Sequence, residues 1–191
     1  ITIVIGSPDK FVLERETITM HMADALLAPA VAATMYAAST VTAGASIVKL
    51  NREEKLDHEL AAKKLPTMAV MSALVFAGQM INYTIPGTGS SGHICGGMLL
   101  TSVLGPWAGF LSMIAVLAIQ CLFFADGGLM ALGANIWNMA FYGCFVGYFL
   151  IYRPIMHSNW FSGKGEKAAG RLRIIAASVI GCVVTLQLGA F

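Results

Sequence analysis

From Leu65 to Tyr152 the chain carries a single charged side chain, Asp126. Two further stretches, Ala25 to Val48 and Ile174 to Phe191, carry none. Soluble domains do not run that far without a charge, because their helices and strands keep one face in water. Charged residues make up 12% of the chain, against about 25% in an average soluble domain. A bilayer span needs roughly 20 mostly apolar residues. Lipid offers the backbone no hydrogen-bond partners, so spans of this length are helical. The chain therefore reads as all-α: a polytopic helical membrane protein.

Six transmembrane segments are expected. The first runs from Ala25 to Val48, with Asp24 as its N-cap and Pro29 in an early turn, where proline is tolerated. A charged loop over residues 49–64, with a short helix of its own, follows it. The second segment is Leu65 to Tyr83, with Pro66 near its start. A polar, glycine-rich stretch, Thr84 to His93, leads to the third, Ile94 to Leu104, which ends at Gly105-Pro106. The fourth is Trp107 to Phe124, the fifth Leu129 to Tyr152, and the sixth starts near Leu172. The third has 11 residues. That length reaches only about 17 Å, so it needs flanking residues or shielding by protein.

Basic residues orient the segments. Lys49, Arg52, Lys55, Lys63 and Lys64 lie in one loop, and Arg153, Lys164, Lys167, Arg171 and Arg173 in another. The positive-inside rule places both loops in the cytoplasm. The start of segment one, the 84–93 loop and the 125–128 turn then share the outer face, and the N-terminus is outside. The bilayer accounts for the basic clusters, and no basic, aromatic-interleaved stretch suggests nucleic acid. The protein is expected as a multi-pass protein of a bacterial or archaeal cell (inner) membrane.

Both ends look foreign to this pattern. Residues 1–19 are mixed in charge, lack the long apolar run of a signal peptide, and give way at Met20 to a different composition. Arg15-Glu16 can be encoded AGG-GAG, a ribosome-binding sequence three codons before Met20. We therefore expect residues 1–19 to be a non-native upstream extension and residues 20–191 to be the membrane domain. At the other end the chain stops within apolar sequence, so a C-terminal truncation is expected.

The outer face carries the chemistry. With Met20 as the first residue, His21 is the second. The terminal amine and the His21 amide nitrogen then close a five-membered ring on a metal, and the same amide and imidazole Nδ1 close a six-membered one. Three nitrogens in one plane leave a fourth position, and a square-planar nitrogen set suits Ni(II) or Cu(II). His93, on the same face, is the natural fourth ligand; His58 and His157 fall in the cytoplasmic loops. The loop Gly87 to Gly92 matches GxGxxG, but it has no βαβ context and no acid about 20 residues on, so the dinucleotide reading fails. Glycines there let the backbone turn tightly and present His93. Asp126 is either a helix cap or a partner orienting a metal-bound imidazole. Asn82, Gln79, Asn135 and Asn138 are candidates for bonds between helices, and Gly143-x-x-x-Gly147 for a close helix crossing. The four cysteines (Cys95, Cys121, Cys144, Cys182) lack CxxC spacing and read as small buried hydrophobes.

These residues resemble a known family. Met20-His21-Met22-Ala23-Asp24-Ala25-Leu26 is similar to the amino-terminal signature of the CbiM/NikM family, the cobalt and nickel substrate-specific (S) subunits of energy-coupling factor (ECF) transporters. The resemblance continues through Phe76 to Asn82, Pro86 to Gly97, Leu104 to Trp107 and Phe123 to Asn135, and covers residues 20–191. It implies a seven-helix protein, hence a seventh segment beyond Phe191. It implies Co²⁺ or Ni²⁺ as transported substrate, bound by Met20, His21 and His93, with no enzymatic cofactor. Asp24, Ser91, Asp126, Asn82, Asn135 and Asn138 are the candidate supporting residues around those ligands. The implied partners are a transmembrane coupling (T) subunit, cytoplasmic ATPase subunits and a small accessory membrane protein. No Walker motif occurs in the chain, so ATP hydrolysis falls to partners. The alternative is a membrane metal receptor or storage protein without transport. An intramembrane serine hydrolase using Ser91 and His93 ranks third, since adjacent positions in one turn rarely bring a serine and its base together.

Overall fold

Pro29 opens the first helix, α1 (Pro29–Leu56), and it does so at the first helical position, where a missing N–H is harmless. The Ala28 carbonyl accepts the N–H groups of Val31 and Ala32 at 2.9 and 3.0 Å, so Ala28 stands in the capping position of this helix; Asp24, the expected cap, lies outside the described residues. The computed structural model describes residues 27–56, 58–81, 83–85, 90–92, 94–124, 126–158 and 166–190.

The element order is α1, α2 (His58–Gln79), a hairpin of β1 (Tyr83–Ile85) and β2 (Ser90–Gly92), α3 (Gly97–Leu104), α4 (Pro106–Phe124), α5 (Leu132–Met156) and α6 (Glu166–Ala190). The strands pair antiparallel, with Tyr83 opposite Gly92 and Ile85 opposite Ser90. Within α5, residues Ile136–Tyr152 are wound as a π-helix; the Arg153 N–H, for example, reaches the carbonyl of Tyr148. Aromatic rings at every fourth position run along it. Trp137 stacks on Phe141 with centroids 4.0 Å apart, Phe141 meets Phe145 at 5.5 Å, and Phe145 lies parallel to Phe149 at 6.4 Å.

Among the described residues, four helices are long and apolar enough to cross a membrane: α1, α4, α5 and α6. Large apolar side chains stand exposed along them, Val41, Val48, Leu122, Leu150 and Val183 among them, as a lipid-facing surface requires. This is a multi-pass membrane protein. Of the six expected spans, α2 and α3 do not meet that standard by themselves. Lys63 and Lys64 sit in the second turn of α2 and shorten its apolar part. The eight residues of α3 reach only about 12 Å.

Protein shields α3. Met98, Leu100, Thr101 and Leu104 are buried. At Gly97 an added methyl would lie 3.1 Å from the Gly143 Cα, so α3 and α5 meet backbone to backbone. Gly147 makes room for Met98, whose sulfur occupies the space a side chain there would need. The expected close crossing at Gly143 and Gly147 is thus present, and its partner is α3. The core between α3, α4 and α5 is Leu100, Phe110, Met113, Leu117, Ala140, Cys144 and Phe145.

Several boundaries differ from expectation. Residues 49–64 are not a loop with its own helix. Instead α1 continues to Leu56 and α2 begins at His58; Lys64 ties α2 to Glu53 of α1 at 2.9 Å, and Lys63 pairs with Glu59 within α2 at 2.9 Å. The run is rich in Lys, Arg, Glu and Leu, all strong helix formers. Pro66 consequently lies inside α2. The next basic stretch likewise enters α6 at Glu166, ahead of the expected Leu172.

Candidate metal-capture site

α2 and α4 finish at one end of the bundle, where α1 and α5 begin. Gln79, the last residue of α2, is fully buried. Its Nε2 donates to the Cys95 carbonyl at 3.0 Å and to the Met113 sulfur at 3.9 Å. Gln120 of α4, also fully buried, donates from Nε2 to Gln79 Oε1 at 3.0 Å. A buried amide left unpaired costs several kcal/mol in an apolar medium, roughly 2–7, so this relay is a strong constraint on the three elements it joins.

The turn after α4 is tied to the same residues. The Asp126 N–H donates to the Gln120 carbonyl at 3.1 Å, and the Cys121 thiol points to the Gly127 carbonyl at 3.8 Å. Gly127 takes φ 88°, a left-handed value that favours glycine. α1 then closes on the start of α5. The Tyr36 hydroxyl donates to the Leu129 carbonyl, and the Ser39 hydroxyl to the Gly133 carbonyl at 3.0 Å. At Gly133 an added methyl would meet the Tyr36 nitrogen at 2.8 Å.

Among the site residues expected from sequence, Met20, His21, Asp24, Asn82 and His93 lie outside the described residues. Ser91 is the central residue of β2, opposite Thr84. Asp126 is half-buried in the turn, and it does not cap α5, whose N-cap is Ala131. Asn135 is buried in the first turn of α5. Asn138 lines a cavity of about 10 Å³ together with Cys95, Met139 and Cys182, room for about one water molecule. Asp126, Asn135 and Asn138 thus stand at the end of the bundle where the segments bearing Met20, His21 and His93 are attached.

The remaining histidines are at the opposite end. His58 opens α2, and exposed His157 follows α5, its Nδ1 2.8 Å from the Arg153 carbonyl. Lys49, Arg52, Lys55, Lys63, Lys64, Arg153, Lys167, Arg171 and Arg173 belong to that half as well.

Two residues at this end were not expected as part of a site. Gln79 was legible only as a candidate for bonding between helices, which it does. Gln120 was passed over. Its signal was an uncharged amide near the end of an otherwise apolar span, where a polar side chain is expensive unless another helix receives it.

Comparison with known proteins places the chain. The family CbiM, described as the cobalt uptake substrate-specific transmembrane region, matches residues 21–191. A protein named as a fused nickel transport protein, NikMN, in Archaeoglobus fulgidus is 46% identical over 140 residues, 73% of this chain and 44% of that protein. The fused nickel transport protein NikMN of Rhodobacter capsulatus is 38% identical over 65% of this chain and 34% of its own length. The chain thus spans less than half the length of these two relatives. A crystal structure of a truncated transition metal transporter superposes with TM-score 0.65 at 37% identity, covering 88% of this chain and 75% of that one.

Proposed function

The chain belongs to the cobalt uptake substrate-specific transmembrane family, and on that premise we propose that it is the metal-capture subunit of an ECF-type importer for Co²⁺ or Ni²⁺. The metal is its cargo. The family and its relatives are metal transport proteins, not enzymes, which leaves the serine hydrolase reading without support.

In the proposed site the Met20 amine, the His21 amide nitrogen and Nδ1, and a His93 ring nitrogen hold the ion. A chain that starts at Met20 presents that amine free. Two fused chelate rings use one short peptide, so little ordering entropy is spent per bond formed. The Asp126, Asn135 and Asn138 side chains, with Asp24, Asn82 and Ser91, are the candidates to orient the imidazoles. A transmembrane coupling subunit and cytoplasmic ATPases then drive inward release, and the basic end of the bundle faces them.

The observation that carries this reading is the convergence of three stretches at one end of the bundle. Gln79 binds the strand exit at Cys95, Asp126 hangs from Gln120, and Tyr36 and Ser39 fasten α1 to the turn before α5 and to its first turn. The test is calorimetric titration of a chain beginning at Met20 with both ions. His21→Ala and His93→Ala should each abolish high-affinity binding while helix content is kept. Unchanged affinity in both variants refutes the assignment. Uptake of labelled metal by cells that also express the partner subunits separates transport from storage: binding without uptake favours the receptor.

A further inference from the structure

We infer that Gln79 and Gln120 act together as positioning residues for the metal site, setting where the segment that carries His93 stands against the Asp126 turn. This rests on the metal-capture reading, since it concerns how one of the proposed ligands is held.

Both amides are fully buried in a chain that is otherwise apolar there. Gln120 donates to Gln79, and Gln79 spends both hydrogens of its amide, on the Cys95 carbonyl and on the Met113 sulfur. The relay has one direction only. Turning the Gln79 amide around would set its oxygen against the Cys95 carbonyl and its NH₂ against the Gln120 donor. Cys95 is two residues from His93, and two residues of chain reach at most about 7 Å.

A second contact from the same helix fixes the same point. Gly96 has φ 67°, and a methyl there would lie 2.4 Å from the Val75 side chain. Val75 stands one turn before Gln79 on α2, so α2 grips both Cys95 and Gly96. Meanwhile the Gln120 backbone carbonyl receives the Asp126 N–H at 3.1 Å. Gln120 of α4 thus bonds by its side chain to Gln79, which holds the Cys95 stretch, and by its backbone to the Asp126 turn. Neither amide touches metal in this scheme. They act through the backbone on which His93 is mounted.

The test uses the chain beginning at Met20, in detergent, with Ni²⁺ as the probe. Gln79→Met and Gln120→Met keep the length and remove the relay. Each should weaken Ni²⁺ binding by about 10–100-fold, the effect of losing a partner that orients a ligand. Each should also shift the visible absorption of the bound Ni²⁺, which reports coordination geometry, at unchanged helix content. The double variant should bind no worse than Gln79→Met alone, because Gln120 acts through Gln79. Gln79→Leu removes both the donors and the acceptor, and it carries the test if methionine is not accepted at that position. Affinity within twofold of the parent and an unchanged spectrum in these variants would overturn the inference. His93→Ala is the control that separates the two proposals. If it abolishes binding while the glutamine variants bind normally, only the positioning role fails. If it leaves binding intact, the ligand assignment itself has failed.

Discussion

Gly133 and Gly147 both sit where helices cross, and they differ in what a methyl group would meet. At Gly133 it meets the Tyr36 backbone at 2.8 Å, and at Gly147 the Met98 sulfur at 2.4 Å. The shorter contact is the less serious one, because a methionine side chain has three rotatable bonds and can move aside. A helix backbone cannot. Gly133→Ala should therefore destabilise by about 1–3 kcal/mol, the range for overpacking, and loosen the Ser39 contact beside the site. Gly147→Ala should cost less. Thermal unfolding of both variants in detergent checks the order, and an equal or reversed order would count against the rigid α1–α5 contact. Protonation is the other residue-scale lever. Imidazole and amine must shed a proton to bind metal, so protons compete with the ion and affinity should fall as the pH is lowered. Titrations at pH 7.5 and 5.5 should differ by more than about tenfold, with the weaker binding at the acid end.

At the scale of elements, α3 is the piece that local reasoning could only half describe. Its shortness was plain from the sequence, and so was the need for shielding. What supplies the shield was not: Gly97 lies against Gly143, 46 positions later, and Met98 fits between Gly147 and Gly181. Gly97→Leu should push α3 off α5 and lower thermal stability by more than Gly170→Leu, since nothing lies within 4 Å of a methyl at Gly170. Helix boundaries were misjudged for a related reason. Charge density marks where a chain leaves lipid, not where its helix stops, so α1 and α2 both run past the apolar limit. The short β1–β2 pairing was also not anticipated. It brackets residues 86–89 in a stretch whose glycines announce a turn but not its flanks.

Across the whole molecule, charge is separated from the candidate site. The basic residues of α1, α2, α5 and α6 gather at one end, and the buried amides, Asp126 and Asn135 at the other. With the N-terminus outside, a cysteine placed at exposed Met130 should react with an impermeant thiol reagent on intact cells. One placed at exposed His157 should react only after the cells are opened. The reverse pattern would invert the proposed orientation. Helical class, the order of the six described helices and the segregation of charge could all be read from sequence alone. Each depends on residues near one another along the chain: the length of an apolar run or the charges in a loop. Assembly of the end of the bundle that bears the candidate site did not follow from such properties. It is held by bonds between residues 16, 41, 93 and 94 positions apart, from Gln79 to Cys95, Gln120 to Gln79, Tyr36 to Leu129 and Ser39 to Gly133. Only packing selects such pairs, because a buried polar group takes whichever partner the fold brings within reach.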